Sequence, residues 1–140
     1  MKVNIVRSEN ELQDAFFVRK HVFVSEQGVS EAEEIDELET KSTHFVLYDE
    51  EQPVGAGRFR LVDAVGKVER ICVLSSYRGK GAGVMIMNAI EEYAKPRASS
   101  LKLNAQVQAI PFYERLGYEV VSGEFLDAGI PHKTMKKNCT

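Results

Sequence analysis

Glycine occupies every second position from 79 to 83 in Arg78-Gly79-Lys80-Gly81-Ala82-Gly83, between a β-type run (67–74) and an amphipathic helical stripe. A strand that turns through glycines into a helix demands a sheet with a helix packed across it, which constrains the architecture more than any other feature of the chain. Ile86, Ala89, Ile90 and Tyr93 recur at i, i+3, i+4 and i+7 and form the helix's apolar stripe. Pro96 ends that helix near Lys95, because the residue before a proline resists the α conformation. The glycines let backbone N–H groups approach an anion without side chains in the way. The helix start adds unpaired N–H groups and the positive end of its dipole, and Arg78 and Lys80 add full charge. These are the requirements for gripping a diphosphate. A glycine-rich surface turn is the structural alternative.

Other phosphate loops fail on spacing. A Walker loop needs a glycine five positions before Gly79, where Leu74 stands, and Ser or Thr after Lys80, where Gly81 stands. A dinucleotide fingerprint needs glycine at position 84, which is valine.

Around this junction the chain reads as α/β. After a short first strand, Ser8-Glu9-Asn10-Glu11 has the form of a helix capping box, and Leu12, Ala15, Phe16, Val22 and Phe23 follow at helical spacing. Residues 43–48, 54–62 and 67–74 are strand-like and joined by tight turns, which predicts an antiparallel meander. Residues 101–106 read as a further strand and 111–116 as a short helix ended by Gly117. Residues 118–121 and 132–135 read as two closing strands. The acidic run 30–39 reads as a solvated loop or short helix. No linker or repeat divides the 140 residues, so one domain, 1–140, is expected.

The formal charge of −3 excludes a nucleic-acid-coating surface, and no apolar run approaches the roughly 20 residues needed to cross a bilayer. Met1 to Arg7 lack the pattern of a signal peptide. Cys72, in a predicted buried strand, and Cys139, in the tail, have no nearby metal partners and suit free thiols, so no metal and a cytoplasmic location are expected.

The glycine segment, following Val68-Glu69-Arg70-Ile71-Cys72-Val73 and opening a helix, resembles motif A of the GNAT superfamily of N-acetyltransferases. About thirty residues on, Ala109-Ile110-Pro111-Phe112-Tyr113-Glu114-Arg115-Leu116-Gly117-Tyr118 is similar to the family's Ala-x-x-Phe-Tyr-x-x-x-Gly-Phe/Tyr segment. The likeness covers nearly the whole chain. Residues 19–27 and Gly129-Ile130-Pro131-His132 resemble the small bacterial YjcF/ElaA-type branch.

The resemblance implies a mixed, mostly antiparallel sheet of about six to seven strands flanked by helices, with the fourth and fifth strands splayed. It implies acetyl-CoA as acyl donor, its pantetheine arm on the backbone of Ile71, Cys72 and Val73, and its diphosphate on Arg78, Gly79, Lys80, Gly81, Ala82 and Gly83. The acceptor would be a small-molecule or protein amine that attacks the thioester directly in a ternary complex. Family members often carry Asn seven positions before the tyrosine; Gln106 stands there, so that pantetheine contact is not carried over. Tyr113 matches the family's general acid, with a core tyrosine as the alternative. Glu69 is the first candidate for the base. Strand alternation places it on the same side as Ile71 and Val73, and a pairing with Arg58 or Arg70 is the alternative. His132 and His44 are weaker candidates, and Glu34 and Asp36 are minor candidates for the acceptor site. Cys72 should point away from Ile71 and Val73, as a core residue and not an acyl carrier. Two further readings are an amino-sugar phosphate N-acetyltransferase, which needs a basic pocket from Arg58, Arg60 and Arg70, and a non-catalytic acyl-CoA-binding sensor. Proteins of this type are frequently homodimers, and the strand around His132 offers an edge for pairing.

Overall fold

The computed structural model describes residues 1–139. The strands are β1 (Lys2–Ile5), β2 (Thr43–Asp49), β3 (Gln52–Val62), β4 (Val65–Val73), β5 (Ser100–Gln106), β6 (Glu119–Val120), β7 (Phe125–Asp127) and β8 (Ile130–Asn138). They form one sheet in the order β1-β2-β3-β4-β5-β8-β6, with β7 also paired to β8. The β4–β5 pair is parallel and the others are antiparallel. The predicted meander is β2-β3-β4. The closing region differs from expectation: β8 is nine residues long, and the additional short β7 pairs with its start through Phe125 and His132.

The helices are α1 (Glu9–Arg19), α2 (Glu31–Glu34), α3 (Ala82–Ala94) and α4 (Ile110–Arg115). Half of the capping box forms as read, the Glu11 N–H donating to Ser8 Oγ at 3.2 Å, while the Glu11 carboxylate accepts from the Arg7 N–H at 2.8 Å, one residue before the N-cap. Past Arg19 the chain widens into a π-helix over Lys20–Glu26, which the apolar spacing could not distinguish from continued α-helix.

Period-two alternation divides the apolar residues between two faces. Phe45, Leu47, Phe59, Val68, Leu101, Leu103 and Met135 pack with Ile86, Met87 and Ile90 of α3. On the other face Val46, Ala56 and Cys72 pack with Ala15 and Val18 of α1 and with Val22. The stripe predicted for α3 is its buried side, and the helix ends at its C-cap Lys95 as expected. Lys95 itself keeps the α conformation (φ −50°, ψ −46°), so the reluctance of a residue before proline is not what stops it. Gly117 takes the left-handed conformation, φ 97°, behind α4.

Candidate active site

β4 and β5 pair only from Val65 with Ser100 to Val68 with Leu103. Past that point residues 69–73 and 104–106 share no ladder, so two strand edges face each other with backbone groups unsatisfied by one another. A cleft of about 810 Å³ opens there, running from the glycine segment past Ile71, Gln106 and Tyr113 to Lys67, Lys102 and His132. This is the expected splay.

One residue changes which side chains enter it. Arg58 lies opposite Glu69 and Ala56 opposite Cys72, so three steps on β4 match two on β3. The extra residue is a β-bulge with Arg70 at φ 59°. It shifts alternation by one. Glu69 therefore shares the face of Cys72 and Ala56, not that of Ile71 and Val73, which corrects the placement expected from strict alternation. Ile71 packs on the α3 side, where its Cδ1 would lie 2.8 Å from a Cβ at Gly57. Glu69 still lines the cleft, from the side of α1.

At the other end, Gly79 and Gly81 take φ of 76° and 80°, a conformation that costs other residues roughly 1–2 kcal/mol. Gly81 is the N-cap of α3, and Ala82 is the first helical residue. The first backbone bond of the helix is from the Met85 N–H to the Gly81 carbonyl, at 3.1 Å, which leaves the preceding N–H groups unpaired within it. Gly83 instead makes room for a neighbouring helix. A Cβ there would lie 3.0 Å from the Phe112 ring, so α4 seats directly on the start of α3. Arg78 donates to the Val73 carbonyl at 2.9 Å and to both carboxylate oxygens of Glu26 at 3.0 and 2.8 Å. The Lys80 ammonium sits 5.6 Å from the centre of the Tyr77 ring.

Tyr113 is buried and lines the cleft, and its hydroxyl makes no hydrogen bond among the described residues. Burial first, then neighbouring Cys72, push its phenol well above the ordinary range, so it stays protonated at neutral pH. Burial pushes the Cys72 thiol up to about 12, and its side chain sits in the core beside α1, as expected from sequence. His44 lies under α1 with the Phe16 ring edge-on, and its Nε2 bonds the Glu39 carbonyl at 2.9 Å. It is not among the cleft-lining residues. His132 does line the cleft, stacked on Phe125, with Nδ1 bonded to the Ile130 carbonyl at 2.6 Å. That bond makes Nδ1 the donor.

The acidic run is the largest departure from the reading of sequence. Glu34 and Glu39 are buried, and with Asp36 and Glu69 they close four arginines into one network. Arg19 meets Glu34 at 2.7 Å and Glu39 at 2.6 Å. Arg58 meets Asp36 at 2.9 Å, Glu39 at 3.1 Å and Glu69 at 3.0 Å. Arg60 meets Glu69 at 2.8 Å, and Arg70 meets Glu34 at 3.2 Å and Asp36 at 3.3 Å. Burial opposes ionisation of both glutamates that hold Arg19. It prevails at Glu34, whose carboxyl is pushed up, and is overcome at Glu39, where Arg19, the Asp36 N–H and Arg58 hold the carboxyl at about 2. Burial also acts against the Glu69 carboxylate, but Arg60 and Arg58 hold its carboxyl below the ordinary range. Only tertiary contacts could reveal this, since a run of acids in sequence is usually a solvated face.

The resemblance over residues 19–27 gives Glu26 and Gln27 no role in the site. Glu26 binds Arg78, and Gln27 exchanges hydrogen bonds of 3.2 and 2.8 Å with Gln106, so the C-terminal end of the π-helix reaches both banks of the cleft.

Residues 8–139 match the family model described as acetyltransferase (GNAT) domain. The chain is 57% identical over 140 residues to YjcF of Bacillus subtilis (strain 168), an uncharacterized N-acetyltransferase, covering 99% of this chain and 100% of YjcF. The crystal structure of a Lactobacillus plantarum protein superposes with a TM-score of 0.92 at 31% identity, covering 99% of this chain and 98% of that one. An aminoglycoside 6'-N-acetyltransferase complexed with coenzyme A has the same fold, with a TM-score of 0.79 at 18% identity, over 100% of this chain and 98% of that one. The chain belongs to the GNAT acetyltransferase family and is an N-acetyltransferase.

Proposed function

We propose that this GNAT enzyme, acting as one domain over residues 1–140, transfers the acetyl group of acetyl-CoA to a primary amine by direct attack within a ternary complex. The observation that carries the reading is the junction of an unladdered β4 edge with the open, cation-flanked N-terminus of α3 in a single cleft. The coenzyme A complex of the aminoglycoside acetyltransferase, which shares this fold, supports it. The pantetheine arm lies along the backbone of Ile71, Cys72 and Val73, taking hydrogen bonds that β5 does not. The diphosphate rests on the N–H groups of residues 79–83, with Arg78 and Lys80 supplying charge.

The acceptor's neutral nitrogen attacks the thioester carbonyl carbon, so a C–N bond forms as the C–S bond breaks. The proton lost by the amine passes to Glu69, directly or through a water, and on to solvent. Two arginines keep Glu69 ionised, so it draws in the ammonium and holds the proton only briefly. Tyr113 donates its proton to the departing sulfur and regains one from solvent. Holding both reactants in one cleft removes much of the entropy loss of a bimolecular encounter. Two free cysteines suit a reducing, cytoplasmic setting.

Calorimetric titration with acetyl-CoA tests the reading, beside Gly81→Glu, which places a carboxylate where the diphosphate would sit. Saturable binding that the folded variant loses supports it. No binding by the folded parent overturns it.

A further inference from the structure

On the sheet face opposite α3, one row of side chains carries the same charge across four adjacent strands. Arg60 of β3 lies opposite Lys67 of β4, Lys67 beside Lys102 of β5, and Lys102 opposite Lys136 of β8. Neighbouring strands are about 4.8 Å apart, and like charges set directly opposite destabilise a sheet. Arg60 shares the Glu69 carboxylate. Lys67 and Lys102 have no ion-pair partner among the described residues, although both are half-buried and line the cleft. This contrasts with the adjoining network, where Arg58 and Arg70 are each closed by carboxylates within 3.3 Å. Repulsion of this kind, left unrelieved in a cleft by a chain with 21 acidic side chains, is what a site for an anion requires.

The row's position is also specific. Lys67 and Lys102 stand one residue before the last ladder pair, Val68 with Leu103, where the splay begins. Glu69 is the next residue on that face of β4, about 7 Å along the strand. The other acidic residues at the cleft, Glu33 and Asp127, are exposed at its rim, and Glu34 is held by Arg19 and Arg70. We propose that Lys67 and Lys102, flanked by Arg60, bind an anionic group of the acceptor, which is therefore a small amine carrying a carboxylate or phosphate a few bonds from its nitrogen. The assignment rests on the acetyl transfer proposed above. It also moves any anion site away from Arg58 and Arg70, whose donors are taken by carboxylates.

Acetyl transfer to four short amines tests it: butylamine, 1,4-diaminobutane, 4-aminobutyrate and 3-aminopropylphosphonate, with parent and Lys67→Ala/Lys102→Ala. The two anionic amines should exceed butylamine in kcat/KM by about tenfold or more, an advantage set by charge-assisted bonds. The double variant should lose that advantage while binding acetyl-CoA as the parent does. The order of the carboxylate and phosphonate probes identifies the anion. Preference for the diamine, or an anionic preference that survives in the variant, overturns the proposal. A second arm needs neither cofactor nor turnover and takes Gly81→Glu as its parent, so that the diphosphate loop is closed to the probe. Inorganic phosphate should raise that parent's thermal midpoint saturably, and should not do so once Lys67→Gln/Lys102→Gln are added, which keeps the side chains long. If acetyl-CoA does not bind, or no probe is acetylated, this arm decides alone. Phosphate stabilisation lost in the variant sustains the anion site, and its absence from the parent discards it.

Discussion

Arg78 and Glu26 meet across the mouth of the cleft, the guanidinium donating to both carboxylate oxygens at 3.0 and 2.8 Å. The same guanidinium flanks the open end of α3, where the diphosphate is proposed to rest. Glu26 therefore competes with the ligand for Arg78. Because both side chains are substantially exposed, the competition is modest. Glu26→Gln should tighten acetyl-CoA binding by about twofold to fivefold in calorimetry at low salt. The gain should fade near 0.5 M salt, as screening weakens the pair in the parent. Weaker binding by the variant would show that Glu26 assists the cofactor.

Tyr113 offers a hydroxyl with no hydrogen bond among the described residues, so removing it leaves no buried partner unsatisfied. Tyr113→Phe should leave the thermal midpoint and acetyl-CoA affinity nearly unchanged. Turnover, followed by thiol release, should fall by roughly 100-fold or more, the scale of a lost general acid. Parent-like turnover would return Tyr113 to the core.

Glu39 makes the buried network sensitive to acid. Its folded carboxyl is held at about 2 against an ordinary 4.5, so the unfolded chain takes up the proton first and stability rises with pH. The contribution, on the order of 3 kcal/mol, is complete above 4.5 and disappears as pH falls toward 2. Glu34, pushed the other way, opposes this trend, so the variant is needed to isolate Glu39. Glu39→Gln should lower stability at pH 7 by about 3 kcal/mol and flatten the urea midpoint between pH 4.5 and 2. An unchanged acid limb would place the sensitivity elsewhere.

Cys72, buried and pushed up to about 12, is a thiol at neutral pH. The folded protein should leave it unalkylated by iodoacetamide over hours. Incubation with acetyl-CoA and no acceptor should produce no mass shift on the peptide that carries it. An acetyl thioester there would replace direct attack with a two-step transfer.

Much of this arrangement is legible in local spacing. The strand, glycine turn and helix around Gly81, the N-cap at Ser8 and the meander of β2–β4 all depend on conformational preferences that act over a few residues. The segment around Phe112 and Tyr113 is legible as a motif, while its seating on Gly83 is not.

What local pattern determined is where the chain turns, which face of each helix is apolar and where an anion can meet unpaired N–H groups. Tertiary structure alone decided the rest. A single bulge at Arg70 moved Glu69 to the opposite face, because the two-residue period of a strand carries no record of an extra residue until a partner strand is laid beside it. Glu34, Asp36 and Glu39 read as solvated because water stabilises charge better than a protein interior does. Four arginines from α1, β3 and β4 made their burial possible, and no window of sequence contains that set. Lys67 and Lys102 became neighbours only when β4 and β5 paired in parallel, since register between distant strands is set by the whole sheet and not by either strand.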